Sequence, residues 1–523
     1  MRVVTARQMA AIDRETIAAG TPGLVLMQRA GAAIADALRA GGWLTPQGPV
    51  LIVCGKGNNG GDGLVIAQRL GETGVPVRVL LLHERDELSP DARASYDALS
   101  RQVAVRGAAP AGWVEALHEL AADCALVVDA VFGTGIQPPL RASYAELCRA
   151  LNDLGLPVVA VDMPSGVSGD DGTADPDAVR ADATITVGLP KLGLLLPPGR
   201  DHAGELTVVD IGFADDVCAR HAPPWHVLAL ADYQAMLPPR PSDTHKAQVG
   251  RLLAVAGSRS YGGAAYLTGL GALRSGVGLL TLVAPVCLET GLRTGLPEAI
   301  LRPLAQTAAG TLAPLEAAVL DDLLARQEAV AVGPGLGDDP DTDRWVCDFA
   351  ARCDRPLVLD ADGLSAFARQ GRELEFAGRE VVLTPHPGEL ARLTGLVTTE
   401  IAARRCDLAA ELAARWRVVL LLKGSPTVIG LPDGRVFFNP SGDDSLARGG
   451  TGDILTGVIG GLLAQGASAA DAALLGALVH GLAGERAAAR CGRRGVLARE
   501  IADAVAPVLA LLAGEMPLET DNR

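Results

Sequence analysis

The chain has 523 residues, of which 49% are hydrophobic and 20% charged, with a formal net charge of −15. That length calls for two or more domains, and the composition is that of a globular chain with ample core, not a disordered one. An acidic balance with no basic block argues against nucleic acid, the 3% aromatic content argues against base-stacking platforms, and no run reaches the about 20 apolar residues of a membrane helix.

The opening residues, MRVVTARQMAAIDRE, lack the apolar stretch of a secretory signal. Nine cysteines are scattered with no C-x-x-C pair, so reduced thiols in a cytoplasmic protein are expected. After an N-terminal helical stretch, short apolar runs recur at 49–55, 76–82, 125–133, 157–166 and 183–191, separated by segments of helical periodicity. Runs that are continuous, not alternating, belong to strands buried on both faces of a parallel sheet. An α/β, Rossmann-like, doubly wound domain is predicted. The segment 214–245 loses this rhythm and holds Pro223, Pro224, Pro238, Pro239 and Pro241. It places a boundary near 220, giving domains 1–220 and 221–523. A second set of runs, at 250–257, 276–285, 328–337, 356–365, 380–389 and 418–430, predicts a second α/β sheet. The mostly apolar stretch 455–482 is interrupted by Gln465, Ser468, Asp471 and His480 and reads as buried helices.

Ligands of parallel sheets bind beyond the carboxyl ends of the strands, so the residues that follow each run are the ones to inspect. GKGNNGGDG (55–63) joins a strand to a helix, where backbone N–H groups and the helix N-terminus favour a phosphate. It is neither a Walker loop nor a G-x-G-x-x-G fingerprint. Asn58, Asn59 and Asp62 add side-chain oxygens that a plain phosphate loop does not need; the alternative is a tight strand–helix turn with Asp62 near a helix N-terminus. Asp129 and Asp162 each end a run; they could cap turns, or, with Ser165 and Asn59, build an all-oxygen cage for a hard cation. In the second half, GGTGD (449–453) opens an apolar helix and can form an anion hole for phosphoryl transfer, with Asp453 placed to take a proton from a hydroxyl. Lys423 and Gly424 follow a strand, and His386 is fixed between two prolines in TPHPGE (384–389).

At these residues the chain resembles the bifunctional NAD(P)H-hydrate repair enzymes over nearly its whole length. LMQRAGAAIA (26–35), GKGNNGGDG (55–63), DAVFGTG (129–135) and VDMPSG (161–166) resemble the NAD(P)HX epimerase domain. HKAQVGRLLAVAGS (245–258), GGAAYLTGLGALRSGVGL (262–279), GPGLG (333–337), PHPGE (385–389), KGSPT (423–427) and GGTGDILTG (449–457) resemble the ribokinase-like dehydratase. The resemblance implies an enzyme that interconverts R and S hydrates of NADH and NADPH and dehydrates the S form using ADP with Mg2+, giving AMP and phosphate. It implies that Asn58, Asn59, Gly60, Gly61 and Asp62 hold the phosphates of the hydrate. Asn59, Asp129 and Ser165 would bind K+, and Gly133, Thr134, Gly135, Ile136, Gln137, Pro138, Pro139 and Asp162 would contact the hydrate. In the second half, Ala264, Gly337, His386 and Asp453 would contact the hydrate, and Lys423, Gly424, Ser425, Pro426, Thr427 and Gly452 the nucleotide, ADP or ATP. Asp453 is the candidate base of the dehydratase and Asp162 the candidate acid/base of the epimerase. A cytoplasmic homo-oligomer with no membrane or nucleic-acid partner is expected. Gln28, Ala247, Asp443 and Asp444 depart from the family pattern.

Three other readings compete. A ribokinase-superfamily vitamin kinase with an N-terminal binding module explains GGTGD but not the first half. A carrier module without catalysis does not need Asn59, Asp129 and Asp162. An NAD-dependent dehydrogenase needs a third glycine later than it falls here and a ribose-binding acid.

Overall fold

The computed structural model describes residues 1–100, 103–376 and 378–516. The chain divides into two compact units, Met1–Trp225 and His226–Arg523. The expected boundary at 220 falls inside the helix Asp215–His221, whose Val217 and Cys218 pack with Val4, Met9 and Ile12 at the N-terminal helix. The segment 214–245 is also more regular than expected, since it carries a second short helix, Leu230–Ala235, with Tyr233 buried.

In the first unit the strands are β1 Val50–Cys54, β2 Val77–Leu81, β3 Ala104–Gly107, β4 Leu126–Ala130, β5 Val158–Val161, β6 Ala183–Val187 and β7 Glu205–Val209. Their order is β3-β2-β1-β4-β5-β6-β7, and every pairing is parallel. Alternate side chains of β1 feed different cores. Val50, Ile52 and Cys54 pack with Ile34, Leu38 and Leu64 on one face. Leu51 and Val53 pack with Trp113 and Leu147 on the other. This two-sided burial is why the strand reads as an unbroken apolar run. The order reverses at β1/β4, the switch point where a crevice opens beyond the strand ends.

The second unit repeats the plan. Its sheet comprises β8 Trp225–His226, β9 Arg251–Val255, β10 Leu279–Pro285, β11 Ile300–Leu304, β12 Ala329–Val332, β13 Leu357–Leu359, β14 Val381–Leu383, β15 Val419–Leu422, β16 Val428–Gly430 and β17 Val436–Phe438. The order is β11-β10-β9-β12-β13-β14-β15-β16-β17-β8. Strands β11 to β15 are parallel to their neighbours, and β15/β16 and β16/β17 are antiparallel. The run 418–430 is a hairpin that turns at 423–427, with Lys423 and Gly424 directly after β15. The helices Thr451–Ala464 and Ala469–Cys491 form the buried layer expected of 455–482. No helix among the described residues is long and apolar enough to cross a membrane, and all nine cysteines are free.

Candidate active sites

In the first unit the glycine loop ends β1 and runs into the helix Asn58–Glu72, whose N-cap is Gly57 with no side-chain cap. The first-turn N–H groups of such a helix have no intrahelical acceptor and favour an anion. Gly60 is needed for packing as well, because a Cβ there would lie 1.9 Å from the Gly55 carbonyl oxygen. A cavity of about 510 Å3 opens beyond the strand ends, lined by Lys56 to Asn59, Asp62, Gly133 to Ile136, Asp162 and Lys191. Gln137, Pro138 and Pro139 lie outside that lining, and Gln137 is bonded instead to Asp170 at 3.3 Å. Asn58 accepts a hydrogen bond from Ser89 at 3.0 Å.

Asp162 follows β5 with φ of 67°, a left-handed conformation rare outside glycine and asparagine. Its Oδ1 accepts from Lys191 Nζ at 2.5 Å, Thr186 Oγ1 at 3.1 Å and the Val187 amide at 3.1 Å. Lys191 is 1% exposed and also donates to Thr186 Oγ1 and the Val187 carbonyl. A Cβ added at Gly133 would lie 3.2 Å from both Asn59 Oδ1 and Asp162 Oδ2, so the three expected site residues Asn59, Gly133 and Asp162 converge.

The expected cation cage also comes partly together. Asp129 is fully buried and accepts from Ser165 Oγ at 2.7 Å and the Ser165 amide at 2.8 Å. Burial pushes its carboxyl up to about 6, against the pull of the Ser165 hydrogen bonds. Asn59 is 9% exposed, and neither its Oδ1 nor its Nδ2 has a hydrogen-bond partner. An orphaned amide oxygen and a buried carboxylate with no cationic side chain bonded to it fit a hard cation.

In the second unit the site follows the ends of β12 to β15 and the N-terminus of the helix Thr451–Ala464. Gly450 caps that helix at φ of 92°, and a Cβ there would lie 2.5 Å from Leu267. Asp453 stands in the first turn with no hydrogen-bond or ion-pair partner among the described residues. Burial, reinforced by the Asp360 charge and opposed by Lys423, pushes it up to about 6. Lys423 Nζ pairs with Asp360 Oδ1 at 2.7 Å and lies 3.9 Å from Glu389. Asp360 also accepts from Thr456 Oγ1 at 2.6 Å. Burial opposes the charge on Asp360, yet Lys423 and Thr456 outweigh it and hold that carboxyl below its ordinary value. A Cβ at Gly452 would be 3.5 Å from Lys423 Nζ, which brings the 423 loop against the glycine turn.

His386 caps the helix Pro387–Thr394, its Nδ1 accepting from the Gly388 amide at 3.0 Å. Burial and the Lys423 charge lower its pKa, and with Nδ1 accepting from Gly388, Nε2 is the ring nitrogen left to donate. Gly337 is held through its amide by Asp362 at 2.9 Å and through its carbonyl by Arg369 at 3.1 Å. Ala264 abuts the same loop, since a Cβ at Gly335 would lie 2.6 Å from the Ala264 Cβ. In the 423–427 turn, Arg405 Nη1 donates to the Ser425 carbonyl at 3.2 Å and Thr427 to the Gly424 carbonyl at 3.2 Å. The departing acids Asp443 and Asp444 are both paired with Arg493.

Sequence reasoning missed Asp13, Lys191, Asp360 and Glu389. Lys191 ended the run 183–191, while Asp360 and Glu389 lay inside quoted motifs. Asp13 carried no signal, being one acid on an amphipathic helix.

The sequence matches two family models: YjeF-related protein N-terminus over residues 23–193 and NAD(P)H-hydrate dehydratase over residues 252–507. It is 38% identical to the bifunctional NAD(P)H-hydrate repair enzyme Nnr of Moorella thermoacetica, across 99% of this chain and 98% of that one. Its identity to the enzyme of the same name from Thermofilum pendens is 39%, across 95% of this chain and 94% of the other. Among solved structures, an ADP/ATP-dependent NAD(P)H-hydrate dehydratase from Bacillus subtilis, co-crystallized with ATP and Mg2+, is 34% identical. It covers 54% of this chain and 97% of its own, with a TM-score of 0.48.

Proposed function

The chain belongs to the bifunctional NAD(P)H-hydrate repair enzymes, and from that premise we propose how its residues divide the work. The enzyme epimerises hydrated NADH and NADPH and dehydrates the S form. The observation that carries this reading is a match along 99% of this chain and 98% of the relative, with both domains present in order.

In the second unit the ring hydroxyl is a poor leaving group at neutral pH. Asp453, unpaired and half ionised near pH 6, takes the hydroxyl proton as that oxygen attacks the terminal phosphorus of ADP. AMP departs. The phosphate ester then breaks at its C–O bond, its electron pair leaving with phosphate, C5 gives its proton to the departing phosphate, and phosphate and the restored dihydropyridine remain. The N–H groups at Gly452 and Asp453 face the negative charge that develops at phosphorus. Lys423, held by Asp360, supplies a positive charge to the same turn. The 423–427 turn takes the nucleotide, while His386, Gly337 and Ala264 border the hydrate. Mg2+ enters as the counter-ion of the nucleotide.

In the first unit the Asn58–Glu72 helix N-terminus receives the phosphates of the hydrate, and Gly133 to Ile136 with Asp162 border its ring. Asn59, Asp129 and Ser165 would hold K+, which supplies a fixed positive charge against that phosphate. The proposed working form is a cytoplasmic homo-oligomer.

The test is stoichiometry. With S-NADPHX, ADP and Mg2+, phosphorus NMR should show one AMP and one phosphate for each NADPH regained. Stable phosphorylation of the ring without regained NADPH would favour the kinase alternative.

A further inference from the structure

The inference rests on the epimerase reading of the first unit and concerns how its cavity moves protons. Three carboxyl groups and two ammonium groups line that cavity: Asp13, Asp62, Asp162, Lys56 and Lys191. Their bonding separates them. Asp162 Oδ1 is committed to three donors, and Lys191 places its three hydrogen bonds on Asp162, Thr186 and Val187. This pair is a fixed set of charges. Asp62 has no hydrogen bond or ion pair with any described residue, although it sits among the apolar side chains Met9, Leu26, Met27 and Ala30 that line the same cavity.

A carboxyl left unpaired beside apolar side chains has its charged form disfavoured. Burial, then the charges of Asp162 and Asp13, push Asp62 well above the ordinary carboxylate range. Asp13, its neighbour, is pushed to about 6, chiefly by burial and with Lys191 opposing. A second observation, shared with the cation site, points to a ligand in this cavity. Asn59 lies one helical turn before Asp62, lines the same cavity, and has both amide atoms buried without a partner.

We propose that Asp62 is the proton-exchanging catalytic residue of the epimerase, with the Asp162–Lys191 pair as the fixed charge that faces the reacting ring. Asp62 gives its proton to the C6 hydroxyl. The C6–O bond breaks, its electron pair leaving with water, and the ring-nitrogen lone pair closes an N1=C6 double bond. The cation so formed faces the Asp162 carboxylate. Water then adds to the opposite face of C6, the π pair returns to nitrogen, and the proton shed by the water restores Asp62. Nothing is consumed and the configuration at C6 inverts.

The experiment uses the full chain without ADP, so that dehydration is silent, and R-NADPHX in 18O-enriched water. Wild-type enzyme should form the S hydrate with solvent oxygen at C6. Asp62→Asn, nearly isosteric, should slow both inversion and 18O uptake by at least about 100-fold. Asp13→Asn should cost far less. Hydrogen exchange over residues 1–225 checks that each variant is folded, and Asp62→Glu should regain part of the rate. An Asp62→Asn variant at the wild-type rate, a larger loss at Asp13 than at Asp62, or inversion without 18O uptake would overturn the assignment. A wild-type chain that does not invert the hydrate refutes the epimerase reading itself.

Discussion

Lys191→Met removes one partner of a buried ion pair and keeps the length of the side chain. At an effective dielectric of about 20, two unit charges 2.5 Å apart attract by about 7 kcal/mol. Desolvation of the ammonium returns several kcal/mol of that, so the net loss on removing one partner is about 3–5 kcal/mol. The loss is felt in the first unit alone, where Asp162 is left 13% exposed and faces two more acids. Hydrogen exchange read by mass spectrometry on the full chain should therefore show protection falling by about 100- to 4,000-fold across 1–225. Protection across 226–523 should not change. The double variant Lys191→Met/Asp162→Asn should recover most of the loss, because the orphaned charge is gone and Asn suits the left-handed backbone at 162. A single variant as stable as wild type, or a double variant no better than the single, would refute the idea that this pair holds the cavity wall together.

Other expectations follow from the same geometry. Asp453→Asn should lower ADP-dependent dehydration by about 100- to 10,000-fold while epimerisation persists, measured by NADH absorbance and by chromatography of the hydrates. Because Asp453 acts as a base and burial sets its carboxyl at about 6, kcat/KM for dehydration should fall as pH drops through 6 and level off above it; a rate that rises toward acid would contradict the base role. Gly60→Ala would force a Cβ to within 1.9 Å of a backbone oxygen and should abolish epimerisation with the dehydratase intact, a result checked in the same two assays. Replacing K+ by choline should slow epimerisation but not dehydration, and Asn59→Ala should remove that difference.

The strands buried on both faces were legible because two cores demand apolar residues at every position. In the first sheet the ones that escaped were its two edges. Strand β3 is exposed along its length and β7 alternates, so neither leaves a continuous apolar run. In the hairpin at 418–430, Lys423 and Gly424 were legible as following a strand, but the return strand β16 did not stand apart because it is as fully buried as β15. In the sites, glycine turns and strand-end acids announced Asn59, Asp129, Asp162 and Asp453. The pairing of these acids did not show. Whether a carboxylate is fixed by a lysine or left alone depends on contacts 29 residues apart for Asp162 and 63 apart for Asp360. That is why Asp162 stood as the candidate acid/base, and why Asp62, embedded in the glycine loop, was read as a phosphate contact.

The central claim is that one chain carries both repair activities. Purified protein mixed with an R/S mixture of NADH hydrates, Mg2+, K+ and ADP should return the NADH absorbance completely. Recovery that stops at the S fraction would contradict the claim for the first unit, and no recovery with either ADP or ATP would contradict it for both.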